Sequence, residues 1–158
     1  MSSVGSPEIA VTVSPDTRVV IVAASWHQQV MDGLVASAVK TVENAGAKAE
    51  LHRVPGTFEL SLAAQAAIAA GADAVVALGV VIRGGTPHFD FVCHAVTDGI
   101  NRVSLDTGVP IGFGVLTCDD EQQALDRAGL ANSKEDKGAE AATAALAMLK
   151  VLDNLKNA

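Results

Sequence analysis

Apolar positions along this chain fall into runs and stripes that alternate four times. Arg18–Ser25 (RVVIVAAS) is an unbroken apolar run of strand length. Gln28–Ala45 then carries Val30, Leu34, Ala38 and Val42 at a four-residue step, the mark of one helix face. Gly46 closes that helix as a C-terminal glycine does. Lys48–Val54 predicts a second strand, Pro55-Gly56 breaks the chain, and Thr57–Ala70 reads as an Ala-rich helix ending at Gly71. Ala74–Ile82 (AVVALGVVI) is a third continuously apolar run, followed by Gly84-Gly85 and a helix over Pro87–Leu105. Val109–Thr117 predicts a fourth strand and Asp119–Ala128 a short helix. Lys134–Leu155 predicts a long last helix with Ala142, Leu146, Leu149, Leu152 and Leu155 on one side.

Strands that lack polar alternation are expected where both faces of a parallel sheet are covered. The pattern therefore predicts an α/β protein, a three-layer α/β/α sandwich around a four-stranded parallel sheet. Residues 18–158 form its single domain. Met1–Thr17 is a polar, Ser- and Pro-containing arm, expected to be flexible and extended at most over Glu8–Val13. A chain of 158 residues is one domain's worth of material and can bury a core without metal or disulfide staples.

Composition adds one point about assembly. Hydrophobic residues make up 49% and charged residues only 18%, yet there are one Trp, four Phe and no Tyr. The apolar excess is Ala and Val, which implies either an oligomer with apolar interfaces or a densely filled monomeric core. A net charge of −7 with no Lys/Arg stretch argues against nucleic acid as a partner. Cys93 and Cys118 have no metal-type spacing and are too few for a disulfide framework. The start of the chain has neither a basic segment nor an apolar run, and no stretch of ~20 apolar residues could span a bilayer. A cytoplasmic protein that contacts no membrane is expected.

In an open parallel sheet, ligands bind beyond the carboxyl ends of the strands. Four segments are expected there: Ser25-Trp26-His27, Pro55–Glu59, Arg83–His88 and Gly112–Thr117. Gly84-Gly85-Thr86-Pro87-His88 is the most informative. Two glycines allow close backbone approach, Thr86 suits an N-cap, and Pro87 suits the first helical position. The free amides and dipole of that helix start favour an anion such as phosphate, with His88 beside it for proton transfer near neutral pH. The same five residues also fit a plain strand–turn–helix link with a surface His. Trp26 is either a platform for a heterocycle or ordinary packing. Glu59 is either an acceptor for hydroxyls or an acid favoured in a first helical turn. Ser133-Lys134-Glu135-Asp136 resembles a capping box, and Arg127 and Lys137 beside it read as solvated charges. His27, His52 and His94 are weaker candidates. No His/Asp/Glu set has zinc or calcium spacing, so no metal is expected.

With these residues in place, the chain resembles the lumazine synthases from roughly Arg18 to Leu155. The matching segments are Ala24-Ser25-Trp26, Gly56-Thr57-Phe58-Glu59, Ala77–Gly84, Thr86-Pro87-His88-Phe89-Asp90, Gly114-Val115-Leu116-Thr117, Gln123–Gly129 and Lys137-Gly138. The resemblance implies a flavodoxin-like fold and a cofactor-free transferase of riboflavin biosynthesis. Such an enzyme condenses 5-amino-6-(D-ribitylamino)uracil with 3,4-dihydroxy-2-butanone 4-phosphate to 6,7-dimethyl-8-ribityllumazine. It also implies that Trp26 stacks on the pyrimidine, and that Thr57 and Glu59, with the backbone of Gly56 and Phe58, hold the ribityl chain. The backbone of Val80, Val81 and Ile82 would meet the uracil edge. Gly85 and Thr86 would bind the phosphate, and His88 would transfer protons. Phe113, Arg127 and Lys137 would come from a neighbouring subunit, with Arg127 on the phosphate and Lys137 on the heterocycle. The implied assembly is a homopentamer with sites at subunit interfaces.

Two features depart from the family's pattern. Gly85 stands where a side chain is common, so phosphate binding there would rest on backbone alone. The turn Leu130–Asp136 is longer than in shell-forming members, which favours a simple pentamer. A flavodoxin-like binding or signalling module is the other class considered. Trp26-His27-Gln28-Gln29 is not a flavin-phosphate loop, however, and no acidic set ends the first strand. A catalytically weak flavin-pathway binder or scaffold of the same fold is the second alternative.

Overall fold

The computed structural model describes residues 9–158, so the first half of the arm, residues 1–8, lies outside the described residues. The apolar run becomes β1 (Arg18–Ala24), and the four-residue stripe becomes α1 (Gln28–Asn44). β2 (Lys48–Val54) is followed by a 3-10 turn, Thr57–Glu59, and by α2 (Leu60–Ala69). β3 (Ala74–Ile82), α3 (His88–Thr107) and β4 (Ile111–Cys118) come next, then α4 (Glu121–Leu125) and α5 (Lys137–Lys156).

The four strands form one parallel sheet in the order β2-β1-β3-β4. Its centre, β1 and β3, is buried on both faces, which accounts for the unbroken apolar runs. Alternate residues of β1 feed two cores. Val19, Ile21 and Ala23 meet Leu34, Ala38 and Val42 of α1 and Ala142 and Leu146 of α5. Val20 and Val22 meet Leu60 and Ala64 of α2 and Val96 and Ile100 of α3. Helices thus cover both faces, and the molecule is a three-layer α/β/α sandwich of flavodoxin-like type. Each fully buried Leu or Ile contributes roughly 1.5–3 kcal/mol relative to an exposed one. The described part of the arm runs against this body: Val13 N–H donates to Ala45 O at 3.0 Å, and Val11 and Val13 sit against the α1–α5 core.

Two glycines set how closely α5 approaches. A Cβ at Gly112 in β4 would fall 2.1 Å from the Ala141 carbonyl oxygen, and one at Gly138 would fall 2.2 Å from that of Leu34. α5 is therefore wedged backbone-to-backbone between the edge strand and α1.

Around the turn between α4 and α5, two boundaries differ from the sequence expectation, each for a local reason. α4 is only Glu121–Leu125, because Asp120 caps it by accepting the Gln123 amide at 2.8 Å and the chain then turns. α5 starts at Lys137, three residues late, because Asp136 is its cap, accepting the Ala139 amide at 2.9 Å. Ser133 is not that cap. Its hydroxyl donates to Leu125 O and accepts from Leu130 N–H, closing the turn instead. Finally, only the first half of the α5 stripe is buried: Ala142 and Leu146 are inside, whereas Leu155 is exposed.

Candidate functional site

Where β1 ends, two side chains tie the rim together. Ser25 Oγ donates to Val54 O at 2.7 Å. The Arg53 guanidinium donates to Ala24 O and to Asp32, both at 3.1 Å. His27 then takes a left-handed backbone (φ 59°), uncommon for a residue with a Cβ. The turn leaves Trp26 68% exposed on the rim.

Trp26 faces the next loop. A Cβ built on Gly56 would lie 3.8 Å from indole Nε1 and Cδ1, and 3.2 Å from Glu59 Oε2. One bare backbone position thus sits between a flat ring and a carboxylate. Beneath it, Thr57 is only 6% exposed and its hydroxyl donates to Val80 O at 3.1 Å. That contact needs Gly79, since a Cβ there would come within 2.9 Å of Thr57 Oγ1 and of Leu60. Phe58 points outward, 63% exposed. Pairing of β3 with β1 stops at Leu78, while pairing with β4 continues to Ile82. Beyond Leu78, therefore, no strand lies on the β1 side of β3 among the described residues, and Val80 O is met there by the Thr57 hydroxyl.

The β3–α3 connection follows. Gly84 to His88 is exposed throughout, and a Cβ on Gly84 or Gly85 would meet nothing within 4 Å. The amides of Gly84, Gly85 and Thr86 donate to no acceptor among the described residues. Thr86 does not cap the helix as expected. Pro87 occupies the cap position in α-helical geometry, α3 starts at His88, and no side chain bonds its first amides. Three open amides and an uncapped helix start therefore face solvent beside His88, a geometry suited to an anion.

The fourth segment differs from expectation. β4 runs through Cys118, so Gly112–Thr117 forms the strand itself rather than the rim. Phe113 pairs in register with Ala77, well below the rim that holds Trp26 and His88, and is 44% exposed on the outer edge strand. Arg127 and Lys137 are not freely solvated charges. Arg127 donates to Gln123 O at 2.8 Å and lies 3.9 Å from Glu135. Lys137 is only 14% exposed, at 3.0 Å from Glu135 and 2.7 Å from Glu140. Burial opposes the Lys137 charge, but hydrogen bonds to Glu140 and Glu135 outweigh it and hold its pKa above the usual ammonium value. The hydrogen bond from Lys137 in turn holds Glu135 below the usual carboxylate range, with the Arg127 charge adding to the effect.

Sequence reasoning put Ser25 and Arg83 at this rim without a role and missed Arg53, yet these three brace it. Arg83 donates to Asp119 at 3.0 Å, lies 3.5 Å from Asp90, and sits 4.1 Å over the Phe89 ring. Arg53 and Ser25 do similar work at the β1 turn. Their partners are 29–36 residues away along the chain, beyond any local pattern, with Asp90, Phe89 and Asp32 the nearer exceptions. Among the described residues, no group of three or more His, Cys, Asp or Glu is arranged to hold a metal, and no helix is long and apolar enough to cross a membrane.

A parallel flavodoxin-like sheet, with an exposed indole, a carboxylate beside a bare glycine and an open loop at a helix start along its carboxyl rim, is an α/β architecture suited to a small molecule. The comparisons place it further. A family model for 6,7-dimethyl-8-ribityllumazine synthase matches residues 16–153. The chain is 59% identical over 157 residues to the 6,7-dimethyl-8-ribityllumazine synthase of Leifsonia xyli subsp. xyli, covering 99% of each chain. It is 61% identical to the protein of that name from Paenarthrobacter aurescens (93% of this chain, 94% of the relative) and 58% identical to that of Streptomyces avermitilis (96% and 95%). The chain belongs to the 6,7-dimethyl-8-ribityllumazine synthase family.

Proposed function

We propose that this chain condenses 5-amino-6-(D-ribitylamino)uracil with 3,4-dihydroxy-2-butanone 4-phosphate, giving 6,7-dimethyl-8-ribityllumazine, phosphate and water. Family membership supports the reaction, and the open amides of Gly84, Gly85 and Thr86 beside His88 are the observation that carries the mechanism. Trp26 stacks on the pyrimidine. Glu59 and Thr57, with the Gly56 and Phe58 backbone, hold the ribityl hydroxyls, and Val80–Ile82 meets the uracil edge. The 5-amino group attacks the ketone and water leaves, forming an imine. Loss of a proton from carbon then expels the phosphate oxyanion, which the loop amides and Thr86 stabilise. The enol left behind tautomerises to a second carbonyl. Attack by the ribityl-bearing nitrogen and loss of a second water close the ring. His88 moves the protons, and no step needs a covalent enzyme intermediate or a cofactor.

The site is shared between subunits of a cytoplasmic homopentamer in this reading. Phe113, Arg127 and Lys137 of one subunit complete the rim of the next, Arg127 pairing with the phosphate and Lys137 with the heterocycle. Supporting this, Trp26 and Phe58 expose most of their surface, and Phe113 is exposed on the outer edge strand, below its own rim. Residues 18–158 act as the enzymatic domain, with residues 1–17 as an arm. Incubating the purified protein with both substrates should give fluorescent lumazine well above the spontaneous rate, from a particle of pentameric mass or a multiple. No product above that rate would refute the activity, and a fully active monomer would refute the shared site.

A further inference from the structure

Arg83 stands at the end of β3, directly before the anion-type loop, and its guanidinium is taken up by two carboxylates. Its Nε donates to Asp119, just past β4, at 3.0 Å, and its Nη1 lies 3.5 Å from Asp90 in the first turn of α3. Its guanidinium carbon lies 4.1 Å from the centre of the Phe89 ring, within cation–π range. Its own amide donates to Cys118 O at 2.9 Å. One side chain therefore joins three elements: the end of β3, the start of α3 and the β4–α4 turn.

Those contacts bracket His88. Phe89 and Asp90 are the next two residues along the helix, and both are held by Arg83. On the other side, Gly84 and Gly85 contribute no side chain, and Thr86 makes no cap. The body of α3 is held by Val96 and Ile100 in the core, but among the described residues its first turn has only these Arg83 contacts and the Asp90 amide on Pro87 O at 3.0 Å. With two carboxylates already on its guanidinium, Arg83 is placed as a strut rather than as a phosphate ligand.

We propose that Arg83, locked to Asp119 and Asp90 and stacked on Phe89, is a positioning residue that aims His88 at the reacting atoms. This rests on the proton-transfer role assigned to His88 above. A lysine would keep the charge but could neither fork to both carboxylates nor stack as a plane.

The test is a double-mutant cycle on the full-length protein, with lumazine formation measured against each substrate in turn. Circular dichroism and solution mass confirm fold and assembly. Arg83→Met should lower kcat by about 10–100-fold, the scale of a misplaced reacting group, while KM for the uracil stays within about twofold. Arg83→Lys should recover part of the loss. In a His88→Ala background, Arg83→Met should cost less than about threefold more in kcat, because its effect passes through the missing imidazole. Independent, multiplicative losses would overturn the proposal. So would an unchanged kcat, or a rise confined to KM for the ketose phosphate, which would make Arg83 a ligand. If Arg83→Met fails to assemble, Asp119→Ala, which removes one acceptor only, should lower kcat in the same His88-dependent way; wild-type kinetics there would equally refute the strut. A wild-type protein that makes no lumazine, or a His88→Ala variant as fast as wild type, would instead sink the underlying functional reading.

Discussion

Thr57 offers a way to ask how firmly the rim end of β3 is held. Its hydroxyl is buried and donates to Val80 O at 3.1 Å, at a point where β1 no longer runs beside β3. Thr57→Val keeps the shape of the side chain and removes the donor. A buried acceptor left without a partner costs about 1–3 kcal/mol. With an unfolding entropy of about 2.1 cal/mol/K per residue, a chain of 158 residues has roughly 0.33 kcal/mol/K at its midpoint. The expected loss is therefore about 3–9 °C in Tm. Thr57→Ser keeps the hydroxyl and should recover most of it. Thermal unfolding followed by circular dichroism at fixed protein concentration measures the shift, since assembly makes Tm concentration-dependent. A Thr57→Val protein melting within about 1 °C of wild type, a few tenths of a kcal/mol, would mean that the carbonyl finds water and that the buried-bond argument is wrong.

Other perturbations probe separate parts of the molecule. Arg127→Ala removes the charge-assisted partner assigned to phosphate and should raise KM for the ketose phosphate by about 10–100-fold, with KM for the uracil little changed; steady-state kinetics showing equal shifts in both would contradict the assignment. Gly138→Ala would drive a Cβ to 2.2 Å from Leu34 O, so loss of at least about 3 kcal/mol, or no soluble folded protein, is expected in urea unfolding. Near wild-type stability would show that α1 and α5 can part easily. Glu135 has its pKa depressed in the fold by Lys137, so its stabilisation is present above the unfolded value of ~4.3 and is lost as pH falls through the lower folded value. Glu135→Gln should accordingly be less stable than wild type at about pH 7, with the gap closing at about pH 3. A gap independent of pH would rule out the ion pair as its source.

Much of the fold was legible because its strongest signals are local. β1 and β3 are apolar on both faces because they are central, and Val30, Leu34, Ala38 and Val42 of α1 are all buried as their spacing predicts. Three expectations failed where two local signals competed. Asp136 and Ser133 both suit a cap, and the tertiary turn decided between them. Thr86 followed by Pro87 suggests a cap and a first helical residue, but Pro87 takes the cap position. The α5 stripe continues to Leu155 in sequence, whereas the body it covers ends near Leu146. In the candidate site, loop residues were found from chemistry and position along the sheet edge. What brings them together was not legible. The approach of Trp26 to Gly56 and Glu59, the Arg83 network and the Glu135 clasp on Arg127 and Lys137 depend on packing between distant segments.

The turn between α4 and α5 is pinched at its base. Ala128 and Asp136 bridge antiparallel, the amides of Lys134 and Glu135 both return to Asp126 O, and Ser37 of α1 donates to the Asp136 carboxylate. Whatever happens at the tip, around Ala131 and Asn132, stops at that neck. Residues added at that tip should therefore leave Arg127 and Lys137 in place, which makes it a site where the chain can be lengthened.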